Sequence, residues 1–105
     1  MDVEALQKLI GTSRDNALLR MSIATALLGK ERIHEAEVEL SAATRMDPAY
    51  TAAWKQLGKV RQRLDDHQGA RRAWQSGIDA ARTNGDKQAE KEMSVFLRRL
   101  DKLSQ

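Results

Sequence analysis

The chain of 105 residues has no cysteine, one proline and an aromatic content of 4%. Without cysteine it can form no disulfide, no thiolate metal site and no thiol nucleophile. Scarce β-branched residues argue against a sheet. The uncharged run Met21–Leu28 is far short of the ~20 apolar residues a membrane helix needs. Asp2 and Glu4 occupy the place where a secretory signal would be basic and then apolar. These absences lead us to expect a soluble, cytoplasmic protein. A chain of this length buries roughly 65% of its extended surface, enough for one modest core.

What is present is mostly alanine, leucine and charge. Hydrophobic residues make up 41% and charged residues 31%, a balance that favours helix. The net charge of +3 hides an asymmetry. Residues 1–48 carry six Lys/Arg against eight Asp/Glu, and residues 49–105 carry twelve against seven. An anionic partner should therefore prefer the second half.

Apolar spacing divides the chain into helices. The first runs over 2–10 through Val3, Leu6, Leu9 and Ile10 and ends at Gly11. The second, near 15–28, aligns Leu19, Ile23, Ala26 and Leu27. The third, near 33–46, aligns Ile33, Ala36, Leu40, Ala43 and Met46 and stops at Asp47-Pro48, since proline cannot continue a helix. The fourth, near 50–64, carries Tyr50, Trp54, Leu57, Gly58 and Leu64. The fifth follows the candidate caps Asp65 and Asp66 and runs to about Ala81, with Ala70, Trp74, Gly77, Ile78 and Ala81 inward. Asn84-Gly85-Asp86 signals a turn. The last helix, 86–103, sets Ala89, Met93, Phe96, Leu100 and Leu103 on one seam.

A shift of about 34 residues, a period of helical repeats, superposes Ile23 on Leu57, Ala24 on Gly58, Ala36 on Ala70, Leu40 on Trp74 and Ala43 on Gly77. What persists is size: small positions where two antiparallel helices touch, large ones that wedge them apart. The pattern resembles the tetratricopeptide repeat. Trp54, Leu57, Gly58, Ala70, Trp74 and Gly77 match its motif in the second unit; Ala24, Ala36, Leu40, Ala43 and Pro48 match in the first. Arg20 and Arg61 stand where aromatics are usual, and Arg82 where the closing proline belongs. The resemblance implies an all-α fold of antiparallel helix-turn-helix repeats, a short right-handed α-solenoid in one domain over 1–105. Repeat 1 would span 17–50 and repeat 2 would span 51–84. The helix 2–10 would be the remnant of a preceding unit and 86–103 a capping helix, needed because each unit exposes an apolar face until something covers it.

No catalytic pattern accompanies the repeats. No hydroxyl lies in a nucleophile signature, no glycine-rich phosphate loop is present, and neither His34 nor His67 has further ligands at metal spacing. Glu31, Glu35 and Glu39 read as a solvated acidic stripe, and His67 as a partly buried substitute for an apolar wedge. Trp54 and Trp74 read as packing wedges. We expect no enzyme activity, no cofactor and no metal.

In the resembled family the first helices of successive units line a concave groove that holds a peptide or a partner helix. Carried over, the groove comprises Met21 and Thr25, with Leu18, Ser22 and Leu28, in unit one. Lys55, Gln56, Lys59, Gln62 and Arg63 follow in unit two, and Lys87 and Lys91 in the last helix. Lys55/Lys59 and Lys87/Lys91 are each one turn apart, so the two pairs are expected to converge on one anion. Some family members clamp an acidic carboxyl-terminal peptide with Lys, Asn, Asn, Lys and Arg. Lys87, Lys91 and Gln56 resemble part of that set, but Met21 and Thr25 replace its first Lys and Asn, so the clamp is incomplete. The expected function is a protein-protein interaction module for an acidic, partly apolar peptide or protein surface. The alternatives are RNA or another polyanion on the basic half, and self-assembly through exposed helical faces; a monomer or a weak homodimer is expected. Nucleic acid is disfavoured because no aromatics interleave with the bases.

Overall fold

The computed structural model describes residues 2–103. Six helices follow one another: α1 (Val3–Gln7), α2 (Ala17–Gly29), α3 (Ile33–Met46), α4 (Thr51–Arg63), α5 (His67–Asn84) and α6 (Lys87–Leu103). No strand occurs among the described residues. The first helix is shorter than its apolar spacing suggests, because the chain leaves the helical path in a series of turns before Gly11, which adopts φ +82°. The fifth runs past Ala81 to Asn84, where Gly85 at φ 70° ends it in the left-handed conformation that glycine tolerates best.

Short polar side chains start α2, α5 and α6. Asn16 accepts from the Leu19 amide at 2.7 Å, Asp66 from Gly69 at 2.9 Å and Asp86 from Ala89 at 3.0 Å, each satisfying an amide that has no partner within its helix. The two helix pairs turn alike. Glu31 and Asp65 both take positive φ, 58° and 60°, and the next amide bonds back in each case, Arg32 to Leu27 at 3.0 Å and Asp66 to Arg61 at 2.8 Å.

Contacts run in chain order from α1 to α6, with α4 also touching α6. The stack measures 43 × 29 × 18 Å. Ala24, Ala36, Leu40, Ala43, Leu57, Gly58, Ala70, Trp74 and Gly77 are all buried. One cluster joins Val3, Ile23, Leu27, Leu40, Leu57 and Val60; a second joins Ala70, Trp74, Ile78, Met93 and Leu100. At Gly58 α4 approaches α5 closely, since a Cβ there would overlap the indole of Trp74.

Trp54 packs against the core as a half-buried wedge, its indole donating to the Pro48 carbonyl at 2.8 Å. Three expectations need correction. Met46 and Leu103 are not inward; they are 47% and 66% exposed, because each sits at the end of its helix beyond the last packed neighbour. Glu39 is not part of a solvated stripe but 8% exposed. It turns inward because Arg20, standing in an aromatic position, brings a guanidinium to 3.4 Å from its Oε1.

The arginines in aromatic positions act as polar staples. Arg20 reaches both oxygens of Asp15, at 2.9 and 3.0 Å. With the Gly11 amide, this pair holds the Asp15 carboxyl down at about 2. Arg61 donates to Glu37 at 3.1 Å, to the Gly69 carbonyl at 3.2 Å and to Ser41 at 3.5 Å, tying α4 to α3 and to the start of α5. Planar guanidinium groups fill part of the space an aromatic ring would occupy, provided that their donors find acceptors.

Candidate functional site

The first helices of the units, α2 and α4, and the terminal α6 carry the side chains expected to bind. On α2, Met21, Ser22, Thr25 and Ala26 line a largely apolar depression of about 310 Å³. The hydroxyls of Ser22 and Thr25 each donate to a carbonyl one turn back, at 3.0 Å. Both are thereby occupied, and the surface offers small apolar relief.

Between α4 and α6 lies a second cavity, of about 270 Å³, lined by Lys59, Gln62, Trp74, Phe96 and Arg99. Its wall is aromatic: the rings of Trp74 and Phe96 lie 5.2 Å apart, tilted by 46°, within the range of favourable aromatic pairs. Trp74 is fixed by donation to the Lys55 carbonyl at 3.1 Å. The Lys59 ammonium sits 5.3 Å above the Phe96 ring, so a cation–π contact orients it without neutralising it. Lys59 and Arg99 have no ion-pair partner among the described residues.

Two of the expected basic side chains are paired within the chain. Lys55 meets Glu92 at 3.5 Å, and Arg63 meets Glu31 at 2.7 Å. Gln56 is half-buried, whereas Lys87 and Lys91 are exposed. What α6 brings to α4 is Glu92, Phe96 and Arg99, not Lys87 and Lys91. The inward seam of Ala89, Met93 and Leu100 was legible in the spacing, and they take the places of Ala53, Leu57 and Leu64. Glu92 and Arg99 were missed because which flank of that seam faces α4 depends on how the two helices cross.

No model of a known protein family matches the sequence. The chain is 47% identical, over 102 residues and 97% of each protein, to a TPR repeat-containing protein of Pseudomonas aeruginosa. It belongs to the tetratricopeptide-repeat family. A solution structure of a protein from Bordetella parapertussis is 42% identical with a TM-score of 0.78, covering 97% of this chain and 89% of that one. A tetratricopeptide repeat domain protein from Salinibacter ruber is similar in fold, with a TM-score of 0.80 at 24% identity, covering 85% of this chain and 90% of that one. Tetratricopeptide-repeat proteins bind protein or peptide partners and are generally non-catalytic adaptors. No described helix of this chain is long and apolar enough to cross a membrane.

Proposed function

We propose that this chain is a non-catalytic adaptor whose first-helix face binds an acidic, partly apolar protein segment. The observation that carries the reading is the α4–α6 cavity, where two unpaired cations, Lys59 and Arg99, flank the aromatic wall of Trp74 and Phe96. A carboxylate beside an apolar side chain satisfies both halves of such a cavity. Charge there steers encounter, and the buried ring contact slows departure. The apolar relief at Met21, Thr25 and Ala26 accommodates a further small side chain along the same segment. Lys55 and Arg63, already neutralised by Glu92 and Glu31, take a lesser part. Lys87 and Lys91 contribute only long-range attraction.

The test is affinity capture from the source cell with the wild type and with Lys59→Glu/Arg99→Glu, each with and without nuclease. A specific protein partner should survive nuclease and be lost with the double substitution, while the melting temperature stays nearly unchanged. Capture that ends with nuclease assigns the basic half to RNA. Capture that ignores the double substitution sinks the cavity reading.

A further inference from the structure

Away from the first-helix face, the second helices of the two units, α3 and α5, both pack on α4 and leave a cavity of about 310 Å³ between them. Trp54, Leu57 and Ala73 give it an apolar floor, and Arg45, Arg61 and Arg72 line it. Arg61 is committed to Glu37, the Gly69 carbonyl and Ser41. Arg45, from α3, and Arg72, from α5, are exposed and have no ion-pair partner among the described residues. With Glu37 set against Arg61, these two arginines leave the cavity positive. Asp79 lines the adjoining depression, which shares Trp54 and Ser76 with the cavity, and pairs with neither of them.

The hydroxyls single out the same place. Ser22, Thr25, Thr44, Thr83 and Ser94 each donate to a main-chain carbonyl three or four residues back, a common way for a helical hydroxyl to satisfy its proton. Ser41 and Ser76 differ. Ser41 accepts from Arg61, but neither hydroxyl donates to an acceptor among the described residues. Both are half-buried, and both line the cavity. Each stands one turn from a free arginine, Ser41 from Arg45 and Ser76 from Arg72, so each wall presents a hydroxyl and a guanidinium on one helix face.

We propose that this cavity binds a phosphate monoester carried on an apolar or aromatic stem. Two guanidinium groups from opposite walls and two hydroxyl donors exceed what one carboxylate can use, because a single planar fork fills its two oxygens. A phosphate monoester has three terminal oxygens and a charge of about −1.5 to −2 at neutral pH, which matches two free arginines and two hydroxyls. Trp54 and Leu57 then take the stem. The volume lies at the lower end of small-molecule sites, which begin at about 300 Å³, so a stem of one ring fits.

The test is heteronuclear NMR of the full chain in phosphate-free buffer, following backbone amides and the indole N–H signals as phenyl phosphate is added to about 10 mM, enough for a millimolar Kd. Saturable shifts should appear at Ser41, Arg45, Trp54, Arg72 and Ser76, and benzoate should bind about tenfold more weakly. Arg45→Gln and Arg72→Gln, both at exposed positions, should each weaken binding about tenfold with unchanged melting. Arg72→Lys should fall between, because the charge stays and the fork goes. A phosphotyrosine peptide identifies the source of the phosphate: tighter binding than phenyl phosphate means a phosphorylated chain, equal or weaker binding a free ester, and either supports the cavity. No saturable shift, equal binding of benzoate, or binding untouched in Arg45→Gln/Arg72→Gln overturns the proposal. So do shifts centred on Lys59 and Arg99, which would put the anion in the α4–α6 cavity instead.

Discussion

Replacing Gly58 by alanine puts a methyl group where Trp74 already lies. A Cβ at this position would come 2.5 Å from indole Cδ1 and closer still to Nε1 and Cε2. The ring has little freedom to withdraw: it is 1% exposed, its Nε1 donates to the Lys55 carbonyl at 3.1 Å, and Phe96 stands 5.2 Å away. Overpacking of this kind costs typically 1–3 kcal/mol, and displacing the indole hydrogen bond adds about 1 kcal/mol. Against that, alanine gains about 1 kcal/mol over glycine in a helix interior. The balance is a loss of about 2 kcal/mol, which in a domain of this size lowers the melting temperature by about 8–16 °C. Thermal unfolding followed by far-ultraviolet circular dichroism, with urea titration alongside, measures it. The same substitution in a Trp74→Phe background should cost much less, because the smaller ring leaves room. If Gly58→Ala raises the melting temperature, the close approach of α4 to α5 at this point is wrong.

Two pH effects follow from the acids that Arg20 holds. Asp15, held at about 2 by Arg20 and the Gly11 amide, is charged at lower pH in the fold than in the unfolded chain, where about 3.9 is usual. It therefore contributes stability above the unfolded value that disappears as pH falls from about 4 towards 2. Urea midpoints of Asp15→Asn should be lower than wild type at neutral pH and converge with it in acid; parallel curves would contradict the pair. Glu39 behaves oppositely. Its carboxyl is pushed up by burial, so the fold prefers it protonated, and this contribution is lost as pH rises through its raised value. Glu39→Gln should leave stability equal or higher at neutral pH, since Arg20 keeps Asp15, with the difference from wild type shrinking on acidification. A marked loss at neutral pH would mean that the Arg20 contact outweighs desolvation.

Helical class, the number of helices and the pairing of small with large positions were readable in the sequence, because each rests on neighbours in the chain. Asp47-Pro48 stops α3 whatever surrounds it, and the Gly85 turn needs only its own φ. The size pattern of Ala24/Gly58 and Ala36/Ala70 likewise records a helix-packing rule that any tertiary contact must obey. The proposed binding face was readable only in part. That α2 and α4 contribute to it follows from the repeat; which side chains face one another across α4 and α6 does not. The inward seam of Ala89, Met93 and Leu100 is set by local spacing, but how α6 crosses α4 decides that Phe96 and Arg99 come to Lys59.

The same division applies to charge. The sequence by itself determined that the first half is acidic, the second basic, and that two arginines replace aromatics. Only the tertiary structure decided which charges are spent internally. Arg20 is held by Asp15 and Glu39, Arg61 by Glu37, Lys55 by Glu92 and Arg63 by Glu31, pairs separated by up to 37 residues. Such partners meet because helices cross, a relation that local spacing does not encode. Lys59 and Arg99, left unpaired after that crossing at the α4–α6 cavity, are among the cations free to meet another molecule.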